Sequence, residues 1–349
     1  MLLGCNDVEE AASAVPDGGD ASVDAPAPDG SVVTDAGTDA ADADSAACVD
    51  DQALPILTTP PATLSGTGLY SDIGAKVLGA QILEFRPAYP LWSDGATKVR
   101  RAYLPKCSKV DTTNMDQWKF PVGARFWKEF TRDGVLVETR FIHRYGPNAT
   151  DWIFAAYHWR ATGDDADYVP DGVADASATP HDIPNDGACL ACHSRLPERI
   201  LGFSALQLSH DGPGETMATL TAAGRLSTPH AQGYTLPGDA KAQAALGYLH
   251  ANCGNCHNPT GVPEVNLKLR VLVGNATVES TDTYKTAVNV AATRFACNGC
   301  SRIEPGDAAA SAVILRMTAR GSDAQMPPIG TELSDTAGIA AVSEWINGL

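Results

Sequence analysis

The chain has 349 residues, room for about two domains at ~150 residues each, and a formal net charge of −17. Twelve of its 42 acidic residues fall in the first 50 positions and no Lys or Arg precedes Lys76, which leaves 30 acidic against 25 basic residues for the rest. The acidity thus belongs to the N-terminal segment, and without a concentrated basic surface the composition excludes nucleic acid as a partner.

In chain order, Met1-Leu2-Leu3-Gly4-Cys5 comes first. Leu-Leu-Gly-Cys resembles a bacterial lipobox, whose Cys is lipidated after signal cleavage, although no charged n-region and no full apolar h-region stand before it. The expectation is a lipid on Cys5 as the one membrane contact, since no later apolar run approaches the ~18 residues of a spanning helix. Asn6, rather than Asp, then favours the outer membrane. Residues 6–47 are mostly Ala, Asp, Gly, Pro, Ser, Thr and Val, with no aromatic residue. Such a composition buries too little apolar surface to offset ordering entropy, so the segment reads as a disordered Asp/Ala-rich linker.

From 48 to 184 the pattern is that of strands. Residues 124–132 interleave aromatic and charged side chains, and Asp133-Gly134 is a hairpin turn signal. Residues 135–144 follow, with Val135, Val137, Thr139 and Phe141 expected on one face. From Trp152, Ile153, Ala155, Tyr157 and Trp159 alternate with Phe154, Ala156 and His158. Three such strands predict a β-rich antiparallel meander, as part of a small sandwich or barrel. Residues 185–238 carry a first Cys-x-x-Cys-His box, Cys189-Leu190-Ala191-Cys192-His193.

Residues 239–349 read as helical. Asp239 is an N-cap candidate, and Ala242, Ala245, Leu246 and Leu249 follow helical spacing into a second box, Cys253-Gly254-Asn255-Cys256-His257. Asp307 caps a predicted helix over 308–320, and a last helix begins near Asp335 with Ile339, Val342, Ile346 and Leu349 as its stripe. The fold class expected is α+β multidomain: the β-rich domain, then an all-α class I-like cytochrome c domain. Gly247, Tyr248 and Trp345 are the expected contact between its first and last helices.

The boxes carry the chemistry. Two thiols at Cys-x-x-Cys spacing add to the two vinyl groups of one haem, and the adjoining His coordinates its iron. Two boxes predict two c-type haems, with Cys189, Cys192, Cys253 and Cys256 as attachment points and His193 and His257 as iron ligands. Met326, in Met326-Pro327-Pro328, is the expected second axial ligand of haem 2; a thioether there raises the potential. Met317 lies on an apolar helical face and reads as core. Haem 2 therefore looks the more complete site. Haem 1 has no evident distal ligand among Met217, His158, His181, His210 and His230, and is expected to rest on the β-rich domain or on haem 2. Zinc is the rival reading of the Cys-x-x-Cys pairs, but two of the three are followed directly by His. Cys297-Asn298-Gly299-Cys300 precedes Ser301, lacks a proximal ligand and is read as a disulfide rather than a redox-active dithiol. Cys48, Cys107, Cys297 and Cys300 allow three connectivities; the favoured one pairs Cys297 with Cys300 and Cys48 with Cys107. Disulfides and thioether attachment both point to the periplasmic side.

Pro90-Leu91-Trp92-Ser93-Asp94-Gly95-Ala96, Phe120-Pro121-Val122-Gly123, the first box, the phrase from Tyr248 to His257, Pro305-Gly306-Asp307, and Arg316-Met317 with Met326-Pro327-Pro328 occur in this order. Over residues 65 to 349 the chain resembles a family of exported bacterial diheme c-type cytochromes with a β-rich N-terminal region. The resemblance implies two haems and electron transfer between redox partner proteins. The alternative is a diheme peroxidase-like enzyme or a haem subunit of a dehydrogenase, with haem 1 reactive; a surface protein that binds a partner or glycan through its β-rich region is a third class.

Overall fold

The structure is a computed structural model that describes residues 48–297 and 299–349. Cys5 and the 6–47 linker lie outside the described residues. The strands are β1 (Tyr70–Asp72), β2 (Val77–Leu78), β3 (Leu83–Phe85), β4 (Thr97–Tyr103), β5 (Arg125–Arg132), β6 (Val135–Arg144), β7 (Trp152–Trp159) and β8 (Ala166–Tyr168). The helices are α1 (Asp186–His193), α2 (Met217–Ala222), α3 (Ala240–Asn252), α4 (Asp282–Ala287), α5 (Ala312–Thr318) and α6 (Thr336–Ile346). Among the described residues no helix is long and apolar enough to cross a membrane.

Strands β3 to β8 form one antiparallel sheet in sequence order, and β1 pairs with β2. The sheet is an open meander rather than a sandwich or barrel, since β3 and β8 stay at opposite edges. Asp133 and Gly134 both take positive φ, 50° and 80°, the two-residue turn whose twist suits a hairpin. Near this turn the register slips: Phe130 faces Glu138, but Thr131 faces Leu136. Val137 is the extra residue. The bulge takes it away from Thr139 and Phe141 and packs it with Ala156, Ala176 and Ile183, correcting the expected face.

The two faces of the sheet differ. Tyr103, Trp127, Phe141, Ile153, Ala155, Tyr157 and Trp159 form a dry core covered by Leu64 and Leu69. The other face carries its side chains in cross-strand rows. One row is apolar: Leu83, Ala102, Phe126, Ile142 and Phe154. The next reads Phe85, Arg100, Lys128, Arg140 and Ala156. Phe203, in the loop after α1, docks on the apolar end. Its ring lies 4.8 Å from Phe85, 5.5 Å from Phe126 and 5.8 Å from Phe120, each edge to face. Burying a Phe contributes ~1.5–3 kcal/mol, and such ring pairs add to it.

The C-terminal part is not an all-α cytochrome c domain, which corrects the expected fold class. Its helices α3 to α6 span only 13, 6, 7 and 11 residues. Between them run loops joined by single β-bridges, Val288 with Ile303 and Ala291 with Ser301. The helix expected over 308–320 starts at Ala312, because Asp307 bridges Glu304 and the Ser311 hydroxyl accepts the Glu304 N–H. Helical spacing of apolar residues was present, but local turn bonding overrode it. This part also shares its packing with the rest. The core around α3 and α6 takes in Tyr89, Leu206 and Tyr234, Asn252 Oδ1 accepts the Trp92 N–H, and Asp94 accepts the Leu333 N–H. Residues Cys48–Leu349 form a single compact unit. Helices α3 and α6 do cross closely, with Trp345 in their core. The small residue at the crossing is Gly338, where any Cβ would strike the Tyr248 ring; Gly247 faces Tyr89 instead.

Candidate functional site

Box 1 lies on α1, capped by Asn185, whose side chain accepts the Ala188 N–H at 2.8 Å. Spacing i, i+3, i+4 puts Cys189, Cys192 and His193 on one side of this short helix. Helix α1 packs on β7, and the His193 ring sits 5.1 Å from that of Phe154. His193 Nδ1 donates to the Arg199 carbonyl at 2.6 Å. A carbonyl can only accept, so Nδ1 carries the proton and Nε2 keeps a free lone pair. Arg199 itself is held at φ 57°, where the chain reverses to aim that carbonyl. Burial draws the His193 pKa down to about 4, against the pull of the Arg199 bond and aided by Lys128 and Arg140. The ring is neutral, the form that binds a metal.

Box 2 follows α3, capped by Asp239. Cys253 closes the helix by donating its N–H to Leu249 O, and the His257 N–H returns to Cys253 O at 2.8 Å. The His257 carbonyl then accepts the Leu269 N–H at 2.8 Å, so the 267–271 segment is knitted to the box. Backbones run close here: a Cβ on Gly254 would lie 2.7 Å from His250 O and 3.0 Å from Arg270 Cα. The buried Nδ1 of His257 closes no hydrogen bond of good geometry among the described residues. Burial lowers the His257 pKa to about 4; the Leu267 carbonyl opposes this, and Arg316, Arg302 and Arg195 reinforce it.

The fold brings the boxes together. The Cys192 and Cys256 thiols come near enough for each to act on the other's protonation. Cys192 is drawn down to about 7, chiefly by the Cys256 thiol, with Arg140, Arg195 and Lys128 assisting. Cys256 is pushed up by the same contact. Burial raises Cys189 to about 11 and Cys253 to about 12. Arg195 reinforces the junction: its Nη1 donates to Gly261 O at 2.7 Å, and its carbonyl accepts from Thr260 Oγ1 at 3.0 Å. All four box cysteines are free, whereas Cys48 pairs with Cys107 and Cys297 with Cys300, each with Cα atoms 5.5 Å apart.

Met326 is half-buried in the loop after α5. Its N–H donates to Arg316 O at 2.9 Å, and the Arg316 guanidinium binds the carbonyls of Ala324 and Asp323. Arg316 is also one of the charges that act on His257, so it links the Met326 loop to box 2. Met317 is core, as expected. Of the candidates opposite His193, Met217 is sealed in the aromatic core around Phe203. His158 is bonded to Ser177, His181 to Glu138 and His210 to the Arg86 carbonyl, while His230 packs on Tyr234.

A narrow cleft of about 30 Å³ opens between the sheet, the loop after box 1 and the end of α3. Arg100 and Lys128 form its sheet side, with Glu198, His250, Asn255 and Arg270 opposite. His250 was not singled out by the sequence. Its Nδ1 accepts the Val271 N–H at 3.1 Å, so Nε2 carries the proton and is a donor, not a ligand. The missed signal lies in β4 and β5, where Lys98, Arg100 and Lys128 sit at alternating positions that a strand turns to one side.

The donor set fits a c-type haem at both boxes: two free thiols and one neutral imidazole each, with the Nδ1 anchor complete at box 1. Among the described residues no three His, Cys, Asp or Glu side chains converge into a group that could hold a metal ion. No family model matches the chain, and neither characterised proteins nor solved structures are significantly similar to it.

Proposed function

We propose that the protein is a diheme c-type cytochrome of the periplasmic side, lipid-anchored through Cys5, that relays electrons between redox partner proteins. The observation that carries the reading is the meeting of two intact Cys-x-x-Cys-His boxes whose four thiols stay free while the other described cysteines pair. A haem in each box supplies one-electron chemistry at iron. The chain's part is to hold and tune it. Cys189 with Cys192, and Cys253 with Cys256, offer the sulfurs for thioether bonds. His193 and His257 offer neutral Nε2 atoms, and the Arg199 carbonyl keeps His193 from rotating. Met326 is proposed as the second ligand at box 2. The nearness of Cys192 to Cys256 supports a relay, because haems held at the two boxes would be neighbours. Pyridine haemochrome analysis of the chain matured with haem-attachment machinery should give two haems per chain, and zero overturns the reading.

One observation favours the second reading, an enzyme with haem 1 as reactive centre: Met217 is sealed in core, and His158, His181 and His210 are already bonded. A high-spin signal that reacts rapidly with peroxide would select it; two low-spin haems would reject it.

A further inference from the structure

The cross-strand register sets Arg100, Lys128 and Arg140 directly opposite one another on β4, β5 and β6. Like charges in that position repel, and enclosed cations must be paired to be tolerated. Lys98 stands one row away, and Arg270 faces the row across the cleft. Three of these five cations have partners. Arg140 makes a two-pronged bond to Glu138 at 2.6 and 3.0 Å. Arg270 is paired with Glu198. Lys98 donates to the Leu91 carbonyl at 3.1 Å and lies in the field of Asp94 and Asp335.

Arg100 and Lys128 have neither an ion pair nor a side-chain hydrogen bond among the described residues. Glu138, the acid whose charge reaches Lys128, is already shared by Arg140 and His181. The Phe130 ring, 4.8 Å from Lys128 Nζ, gives partial compensation, but Arg140 at 4.3 Å and Lys98 at 5.9 Å crowd the same ring. Lys128 is walled in by protein, and the surface it keeps open faces the cleft, where Arg100 also lies. Gln207, Ser204 and the His250 Nε2–H add neutral donors along the same walls. Against them the walls hold one acceptor without a partner, Glu198 Oε2; two unanswered cations and several donors outnumber it, so the pocket suits a ligand that accepts.

We propose that this cleft is a carboxylate-binding site, with Arg100 and Lys128 as the groups that receive the anion. A guanidinium beside an ammonium matches a carboxylate, one by its planar fork and one as a point charge. The carboxylate has two possible sources: a free small dicarboxylate, or the propionates of a haem held at the adjoining boxes. The second source rests on the function proposed above; the first does not.

The test uses the full matured chain, wild type and the variants Lys128→Met and Lys128→Arg. Thermal unfolding is followed while malonate is added, and resonance Raman spectra record the propionate-bending bands. If the anion is free, Lys128→Met without malonate should melt above wild type, because it removes an unanswered enclosed charge; if a propionate answers that charge, the variant should melt lower and the bands below decide. If the anion is free, malonate should stabilise wild type saturably, with affinity about tenfold weaker in Lys128→Met and restored in Lys128→Arg. If the anion is a propionate, malonate should have no effect, while the propionate-bending bands shift in Lys128→Met and return in Lys128→Arg. Neither response, or a lower melting point for Lys128→Met with no malonate effect and no band shift, overturns the site. A chain that carries no haem leaves the malonate titration to decide alone, so loss of the haem reading and loss of the carboxylate site are separate outcomes.

Discussion

Box 1 and box 2 have the same five-residue pattern but are held by different physics. Box 1 rides an eight-residue helix laid on a sheet, and its imidazole is set by one directed bond, His193 Nδ1 to the Arg199 carbonyl. That carbonyl is fixed in turn by the loop that Phe203 anchors. Box 2 ends a thirteen-residue helix and is set by backbone crowding, with Gly254 against Arg270 and Gly261 against the Cys256 carbonyl. Its imidazole closes no well-formed Nδ1 hydrogen bond among the described residues and has only the Leu267 carbonyl acting on it. From sequence, box 2 looks the more complete because Met326 follows it; in the fold, box 1 has the better-held histidine. A motif states which atoms are present, and the packing around it states how firmly they are aimed.

The most severe way to break this contrast is at the anchor of box 1. Phe203→Ala empties a fully buried site among four aromatic rings and should cost ~3–5 kcal/mol. Urea denaturation should show the lower midpoint. Haem content at box 1, measured in a Cys253→Ala/Cys256→Ala background, should fall, while box 2 measured in a Cys189→Ala/Cys192→Ala background should change less. Equal losses at both would show that the loop does not serve box 1 in particular.

Acid should strike the box 2 side through His250. Burial holds its folded pKa near 3, with Arg270 adding to the effect. An unfolded His titrates near ~6.5, so below that pH the unfolded state binds a proton that the folded state refuses. The contribution of the neutral ring is whole above pH ~6.5 and drains away as pH falls towards 3, with about 2 kcal/mol gone by pH ~5. His250→Gln keeps an acceptor for the Val271 N–H but has no such titration. Stability of this variant should therefore fall less between pH 6.5 and 5 than that of wild type, and parallel curves would contradict the assignment.

Much of this architecture was legible. The Asp133-Gly134 turn, the alternation from Trp152 and the caps Asp239 and Asp335 are local signals, and local geometry honoured them. The favoured disulfide pairing was legible as well. What escaped depended on contacts distant in sequence. The bulge at Val137 is a property of two strands, not one. The C-terminal part read as all-α because apolar spacing was counted without the Glu304–Asp307 turn and the loops that bridge between helices. The row Arg100, Lys128 and Arg140 comes from three separate strands and exists only through register. The approach of Cys192 to Cys256 likewise needs the sheet to carry one box to the other.

Crowding predicts the third effect. Gly254→Ala adds a methyl against two backbones, His250 O and the Arg270 main chain, neither of which can swing aside as a side chain would. Overpacking of this kind costs ~1–3 kcal/mol. It should be felt at box 2 as a lower denaturation midpoint with reduced haem attachment there, leaving box 1 loaded. The mirror change in box 1, Leu190→Ala, should be nearly silent because Leu190 is exposed. If the two substitutions behave alike, backbone crowding is not what sets box 2 apart.

The smallest effect is the finest probe of the contrast. Both box helices have an N-cap side chain bonded to the third residue of the helix, Asn185 in α1 and Asp239 in α3. Replacing either with Ala should cost ~1 kcal/mol. The global cost should match, but its location should not. Helix α1 has eight residues with none fully buried, so losing its cap loosens the turn that carries Cys189, Cys192 and His193. Helix α3 keeps Leu246 and Leu249 in the core between its cap and its box, so fraying at Asp239 ends before Cys253. Amide hydrogen exchange should therefore quicken through box 1 in Asn185→Ala, and in Asp239→Ala only over the first turn of α3. Exchange that reaches Cys253 in the second variant would mean that core packing does not insulate box 2.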